Sequence, residues 1–62
     1  MVLNNLSARE YMFEARRLRN VAASLTDNCA IQPLLGEAEE CEARAARLLG
    51  VSVYLVTNMV IA

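Results

Sequence analysis

Two stripes of apolar residues run along this chain with the same spacing. Both step alternately by three and four residues, which places apolar side chains along one side of a helix that packs against another helix. The first stripe contains Ala8, Tyr11, Ala15, Leu18, Ala22 and Leu25, and the second contains Ile31, Leu34, Ala38, Cys41, Ala45 and Leu48. If the chain folds back between them, the two stripes face each other in register, and Glu14 and Arg44 are expected to pair. The pattern predicts an all-α fold, an antiparallel helical hairpin with helices at about 7–25 and 30–49.

The ends of the predicted helices carry residues that suit helix boundaries. Ser7 and Glu10 form the S-x-x-E pattern of a capping box, in which the two residues satisfy each other's backbone N–H groups. Asp27 lies in a turn sequence and is a candidate N-cap for the second helix. Pro33 conflicts with a start at Asp27, because a proline past the first turn removes an internal hydrogen bond. We therefore expect the second helix either to begin near Ala30 or to have a bent first turn.

The segment after Gly50 differs from the rest of the chain. Gly50 suits the end of the second helix, and residues 51–62, VSVYLVTNMVIA, carry no charge and are rich in β-branched residues. The chain is therefore divided into a hairpin, residues 1–50, and an apolar, strand-prone tail, residues 51–62. The uncharged run from Leu48 to Ala62 would extend about 22 Å as a helix, short of the roughly 30 Å of a bilayer core. The tail needs cover from its own hairpin, from the tail of a second copy or from the sheet of a partner.

Size and charge limit the fold and its partners. A two-helix hairpin buries too little apolar surface to offset its conformational entropy, so assembly as a dimer, a helical bundle or a complex is expected. The apolar fraction of 56% argues against disorder. A net charge of −1 provides no general attraction to nucleic acid or to anionic lipid, which disfavours nucleic-acid binding. The first residues show no signal-peptide pattern, and we expect a cytoplasmic protein.

The residue types that carry catalysis or bind metals form no recognisable set. The chain has no histidine, so a serine or cysteine nucleophile would lack its commonest base. Cys29 and Cys41 would lie roughly 18 Å apart along one helix, too far for a disulfide, and their spacing fits no zinc pattern. We interpret Glu39, Glu40 and Glu42 as solvated charge on an exposed helix face. The sequence predicts no enzyme activity, no metal and no cofactor.

Several apolar residues lie outside the two stripes. Met12, Leu35 and Leu49 extend the stripes along one edge of the hairpin, and Phe13 faces away from the partner helix. One interpretation is that the tail or a second copy of the chain covers this edge. The other is that the edge docks a different protein, with Phe13 as an anchor. With two residues of the tail, the candidate interaction residues are Met12, Phe13, Leu35, Leu49, Tyr54 and Leu55.

Residues 8–49 resemble a recurring type of short bacterial protein. The likeness is to A-x-x-L-R-x-x-A, a D-P turn and L-L-x-x-A-x-x-Y-E-x-x-A in uncharacterised two-helix hairpin proteins. The residues that carry it here are Ala15, Leu18, Arg19, Ala22, Asp27, Leu34, Leu35, Ala38, Glu42, Ala45 and Leu48. The chain differs from that pattern at Asn28, Pro33 and Cys41. The resemblance implies a helical hairpin and implies no activity.

Two classes of function follow from these features. In the first, the chain is a non-enzymatic protein-protein interaction module, a small accessory subunit, regulator or inhibitor of the kind that bacteria and phages encode. It would act by self-association, by binding a protein partner, or by both, through the apolar edge and the tail. In the second, it is a peripheral membrane-associated protein whose uncharged tail enters the membrane interface without spanning it.

Overall fold

The computed structural model describes residues 6–62, which form three helices. Helix α1 spans Ala8–Ala23, α2 spans Asn28–Leu49 and α3 spans Val53–Ile61. Helices α1 and α2 lie side by side, and α3 packs against both. No β-strand occurs within residues 6–62. The fold is all-α, as the apolar spacing predicts, while assembly into a dimer or bundle stays a prediction.

The predicted capping box begins α1. Ser7 Oγ accepts a hydrogen bond from the backbone N–H of Glu10 at 3.2 Å, and Glu10 Oε1 accepts one from the N–H of Ser7 at 2.9 Å. These two hydrogen bonds satisfy two of the N–H groups that every helix start leaves without intrahelical partners. The helix ends at Ala23, earlier than the predicted end near 25, and the N–H of Ser24 donates to carbonyl groups of the last turn.

Helix α2 begins earlier than predicted and contains the proline. Asp27 is its N-cap and accepts a hydrogen bond from the N–H of Cys29 at 3.0 Å. The regular helix therefore starts at Asn28 and not near 30. Pro33 lies inside the helix and offers no N–H to the carbonyl of Cys29. The cap at Asp27 and the packing of the later turns outweigh that missing hydrogen bond.

The tail is a helix, in contrast to the strand that its β-branched residues favour. Gly50 ends α2 in the left-handed conformation, with φ at 70°, which glycine adopts without strain. Ser52 then caps α3 by accepting a hydrogen bond from the N–H of Tyr54. Val56 and Val60, one helical turn apart, are buried against the hairpin. Burying a valine contributes about 1.5–3 kcal/mol, whereas its poor helix propensity costs at most about 0.7 kcal/mol, so packing decides the conformation.

We call the line along which the two apolar stripes face each other the seam. The core follows the predicted seam in its middle and departs from it at the ends. The buried stripe residues are Tyr11, Ala15, Leu18, Ala22, Ala38, Cys41 and Ala45. Ala8, Ile31 and Leu34 are partly buried. The prediction is wrong for Leu25 and Leu48, which are 37% and 59% exposed. Leu25 lies beyond the end of α1, and Leu48 lies in the last turn of α2, where the predicted register offers it only the small side chain of Ala8.

Candidate protein-interaction surface

Helix α3 covers part of the apolar edge that lies outside the two stripes of the hairpin. Val56 and Val60 belong to the same buried cluster as the seam, and Met12 packs against that cluster. Arg16 fixes the end of α3, since its Nε–H donates to the carbonyl of Val60 at 3.3 Å and its Nη2 to the carbonyl of Met59 at 3.4 Å. A cation at C-terminal carbonyls also complements the helix dipole. The tail was expected to be covered by its own hairpin, by the tail of a second copy or by the sheet of a partner. In the structure, the tail packs against its own hairpin.

A buried carboxylate joins the three helices. Glu42 of α2 has no exposed surface, and its Oε2 accepts a hydrogen bond from Arg19 Nε of α1 at 2.6 Å. Its Oε1 accepts from Arg19 Nη2 at 2.8 Å and from the hydroxyl of Thr57 on α3 at 2.9 Å. Burial raises the pKa of Glu42, but the hydrogen bonds from Arg19 and Thr57 and the charge of Arg19 outweigh it and hold the pKa below 4.5. The carboxylate is therefore ionised at neutral pH, and its three hydrogen bonds position α3 on the hairpin.

The interpretation of Glu42 as solvated charge is wrong. Its neighbours Glu39 and Glu40 are exposed as predicted, so only one residue of the acidic run points inward. Arg19 and Glu42 occupy the same heptad position as Met12, on the apolar edge. Opposite charges at that position on the two helices were the sequence signal for a buried ion pair.

The predicted pair between Glu14 and Arg44 does not form. Glu14 accepts hydrogen bonds from Arg17, three residues further along α1, which lowers the pKa of Glu14. The guanidinium of Arg44 lies over the ring of Tyr11, 6.0 Å from the ring centroid, at the distance of a cation–π contact. A partner on the same helix is local and needs no particular helix packing, which favours it over one across the seam.

The six candidate interaction residues differ widely in exposure. Phe13 and Tyr54 are the most exposed, at 74% and 79%, and Leu49 and Leu55 are each about half exposed. Met12 and Leu35 are partly buried, and Met12 packs against the core. Tyr54 and Leu55 are consecutive residues of α3, so their side chains leave the helix about 100° apart. Whether these six bind a partner stays a prediction.

Two of the six residues line a groove between α1 and α3. Its volume is about 220 Å³, and its walls are formed by Arg9, Met12, Phe13, Arg16, Met59 and Val60. We call this the α1–α3 groove. Among residues 6–62, none that lines the groove is acidic. Sequence reasoning missed Arg9, Arg16 and Met59, although Arg9, Met12, Phe13 and Arg16 follow the i, i+3, i+4, i+7 spacing of one helix face.

The two cysteines lie in different environments. Cys29 is exposed, whereas Cys41 is buried in the seam. Burial and the nearby charge of Glu14 raise the pKa of the Cys41 thiol above 9.0. A thiol with a raised pKa is protonated at neutral pH and a poor nucleophile, so Cys41 behaves as a small core residue.

Two further observations concern similarity to known proteins and the character of the helices. The chain matches no model of a known protein family, no curated protein and no solved structure. No helix among residues 6–62 combines the length and the apolar character needed to cross a bilayer. The resemblance to short bacterial hairpin proteins therefore stays a prediction, and the function is inferred from the surface of the chain itself.

Proposed function

We propose that this protein is a non-enzymatic protein-protein interaction module that acts as a small accessory subunit, regulator or inhibitor. The observation that supports this most is the large apolar surface left exposed after all three helices have packed. It is contributed by Phe13 on α1, by Leu48 and Leu49 at the end of α2, and by Tyr54, Leu55, Met59 and Ile61 on α3. So many large apolar side chains left exposed on three helices of a small protein are typical of a contact surface.

The aromatic residues support the same proposal. Tyr11 is buried in the seam, whereas Phe13 and Tyr54 project from different helices with most of their surface exposed. Burying a phenylalanine contributes about 1.5–3 kcal/mol, and the isolated chain does not gain this contribution from Phe13. A partner that covers Phe13 and Tyr54 would gain it, and aromatic anchors of this type dominate the binding energy of many interfaces.

Structural roles account for the groups that would otherwise suggest catalysis. Ser7 caps α1, the Cys41 thiol is buried with a raised pKa, and Glu42 uses both its oxygens to hold α1 and α3. These roles support a module that acts by binding.

Partner capture with matched variants tests the proposal. The chain is used as bait in a lysate of its native host, and captured proteins are identified by mass spectrometry. We expect Phe13→Ala and Tyr54→Ala each to lose a partner that the unmodified chain retains. Leu25→Ala is the control, because it removes an exposed apolar side chain at the opposite end of the hairpin. Equal capture by all three variants would contradict the assignment of the surface.

Self-association is the simplest form of this function, and light scattering measures it. Because Tyr54, Leu55 and Ile61 of α3 stay at least half exposed within residues 6–62, we expect the isolated chain to form dimers or larger assemblies at micromolar concentration. A monodisperse monomer that still captures a partner would leave a heterologous complex as the function. A monodisperse monomer that captures nothing would overturn the proposal.

A second candidate is peripheral membrane association through α3. Its exposed residues Tyr54, Leu55 and Ile61 are uncharged, and Arg44 and Arg47 precede them on α2, where they would lie near lipid headgroups. Flotation with zwitterionic and anionic vesicles distinguishes this function from the first. Flotation that Leu55→Ser abolishes would favour the membrane, whereas failure to float with either vesicle would exclude this candidate.

A further inference from the structure

We propose that the α1–α3 groove binds an acidic segment of a different protein, with an apolar side chain in the groove and a carboxylate at Arg9. This inference rests on the proposed interaction function and names the chemistry of the partner. The groove is lined by the apolar side chains of Met12 and Phe13 from α1 and Met59 from α3, and Arg9 and Arg16 are among its other lining residues.

The size of the groove favours a protein side chain over a small molecule. Sites for drug-sized ligands measure about 300–1,000 Å³, whereas this groove measures about 220 Å³. The smaller volume suits one or two apolar side chains of a docked segment. Two thioethers in the lining, from Met12 and Met59, adapt to the shape of an incoming side chain more easily than branched residues do.

The charge of the groove favours an acidic partner. Arg9 and Arg16 both line it, and the nearest acidic residues along α1 are already engaged. Glu10 accepts the hydrogen bond of the capping box, and Glu14 accepts those of Arg17. Arg16 is held at the end of α3, so Arg9 is the cation available to a ligand: it has no hydrogen bond or ion pair within residues 6–62.

The position of Arg9 works against the stability of its own helix. Arg9 is the second residue of α1, and a cation in the first turn is repelled by the positive end of the helix dipole. An acidic residue at this position would stabilise α1, as Glu10 does one residue further on. An arginine that is unfavourable for folding and has no partner in the described chain is explained by a ligand that carries negative charge.

Within residues 6–62, a second copy of the chain does not provide the required segment. Phe13 is flanked by Glu10 and Glu14, but both carboxylates are already bound within their own helix. The free carboxylates of Glu37, Glu39 and Glu40 lie in residues 36–47, a stretch without a large exposed apolar side chain. The occupant is therefore a different protein, in which glutamate or aspartate alternates with large apolar residues.

A peptide titration followed by nuclear magnetic resonance tests the proposal on the full chain. The probe is a short end-blocked peptide with two leucines flanked by glutamates, and its control has lysines in place of the glutamates. We expect the acidic peptide to shift the methyl signals of Met12 and Met59, with an affinity that falls as salt is added. The lysine peptide should leave these signals unchanged. No shift at millimolar acidic peptide, or equal shifts with both peptides, would overturn the proposal.

The variant Arg9→Glu separates binding from folding. We expect it to weaken binding of the acidic peptide about tenfold while leaving the melting temperature unchanged or raising it. Arg47→Glu makes the same change of charge outside the groove and should bind as the unmodified chain does. A lower melting temperature for Arg9→Glu, or equal binding by both variants, would show that Arg9 serves the fold and not a ligand.

Two other outcomes would also overturn the groove assignment. If raising the protein concentration alone shifts Met12 and Met59 and the acidic peptide then adds no further shift, a second copy occupies the groove. If they shift with anionic vesicles and not with the acidic peptide, the ligand is a membrane surface. Failure of the peptide to bind while Phe13→Ala still loses its captured partner would reject the acidic ligand and retain the interaction function.

Discussion

Replacement of Glu42 by glutamine tests whether one buried carboxylate holds the three helices together. Glutamine keeps the size of the side chain but replaces one acceptor oxygen with an NH₂ group. In the folded protein both oxygens accept hydrogen bonds, from Arg19 at 2.6 and 2.8 Å and from Thr57 at 2.9 Å. At least one donor would therefore face another donor, and Arg19 would lose its counter-charge in a largely buried site.

The expected loss is a large part of the total stability. Removing one partner of a buried ion pair costs about 3–5 kcal/mol, and we expect about 3 kcal/mol because some solvent still reaches Arg19. The side chain of Arg19 is 21% exposed, whereas that of Glu42 is fully buried. A chain of 62 residues has a free energy of unfolding of about 3–9 kcal/mol. Glu42→Gln should therefore remove between about a third and nearly all of the free energy of unfolding.

Urea unfolding followed by circular dichroism at neutral pH measures this loss. Glu40→Gln is the matched control, because it makes the same chemical change on an exposed neighbour in α2. We expect the control to stay within about 0.5 kcal/mol of the unmodified chain, as surface substitutions usually do. If Glu42→Gln also stays within that margin, the hydrogen bonds of Glu42 do not hold the fold, and the explanation given for the position of α3 fails.

Further predictions concern the seam, the proline and the response to acid. Leu18→Ala should cost about 2–5 kcal/mol because Leu18 is buried, whereas Phe13→Ala should leave helicity nearly intact; equal loss of circular dichroism in both would show that Phe13 belongs to the core. Pro33→Ala should raise the free energy of unfolding by about 1–3 kcal/mol, because it supplies an N–H to the carbonyl of Cys29; a lower melting temperature would contradict this reasoning. The folded-state pKa of Glu42 lies below the ordinary value of 4.5, so the carboxylate stabilises the fold above pH 4.5 and this contribution is lost as the pH falls through the folded-state pKa. The free energy of unfolding should therefore fall less steeply with decreasing pH in Glu42→Gln than in the unmodified chain. Identical pH profiles would refute this linkage.

Features that depend on neighbours along the chain were predictable. The capping box of Ser7 and Glu10 and the glycine end of α2 at Gly50 form from residues within one or two turns of each other. The middle of the seam was also predictable, because a helical period alone decides which side chains share a face. Its ends were not, since Leu25 lies beyond the end of α1 and Leu48 lies opposite only the small side chain of Ala8 in the predicted register.

The sequence indicated that the candidate site is an apolar contact surface, but it did not predict the α1–α3 groove. Phe13 was expected to face away from the partner helix, and it is exposed. Tyr54 belongs to the tail, which was expected to be covered, yet 79% of its surface is exposed. The groove beside Phe13 required α3, which brings Met59 and Val60 to residues of α1 more than forty positions away in the chain. Local preference could not predict that contact, since it depends on where the tail packs.

The sequence alone determined the paired apolar stripes, the helix caps and the surplus of apolar residues, because each is a local or periodic property. Only the tertiary structure decided that the tail is a helix and that Glu42 is an internal residue. Thr57 and Arg19 are 15 and 23 residues from Glu42, and their hydrogen bonds form only after α3 and α1 have closed around it. Burial of Val56 and Val60 in the same contact outweighs the strand preference of the tail, because many packing contacts together exceed a propensity of tenths of a kcal/mol.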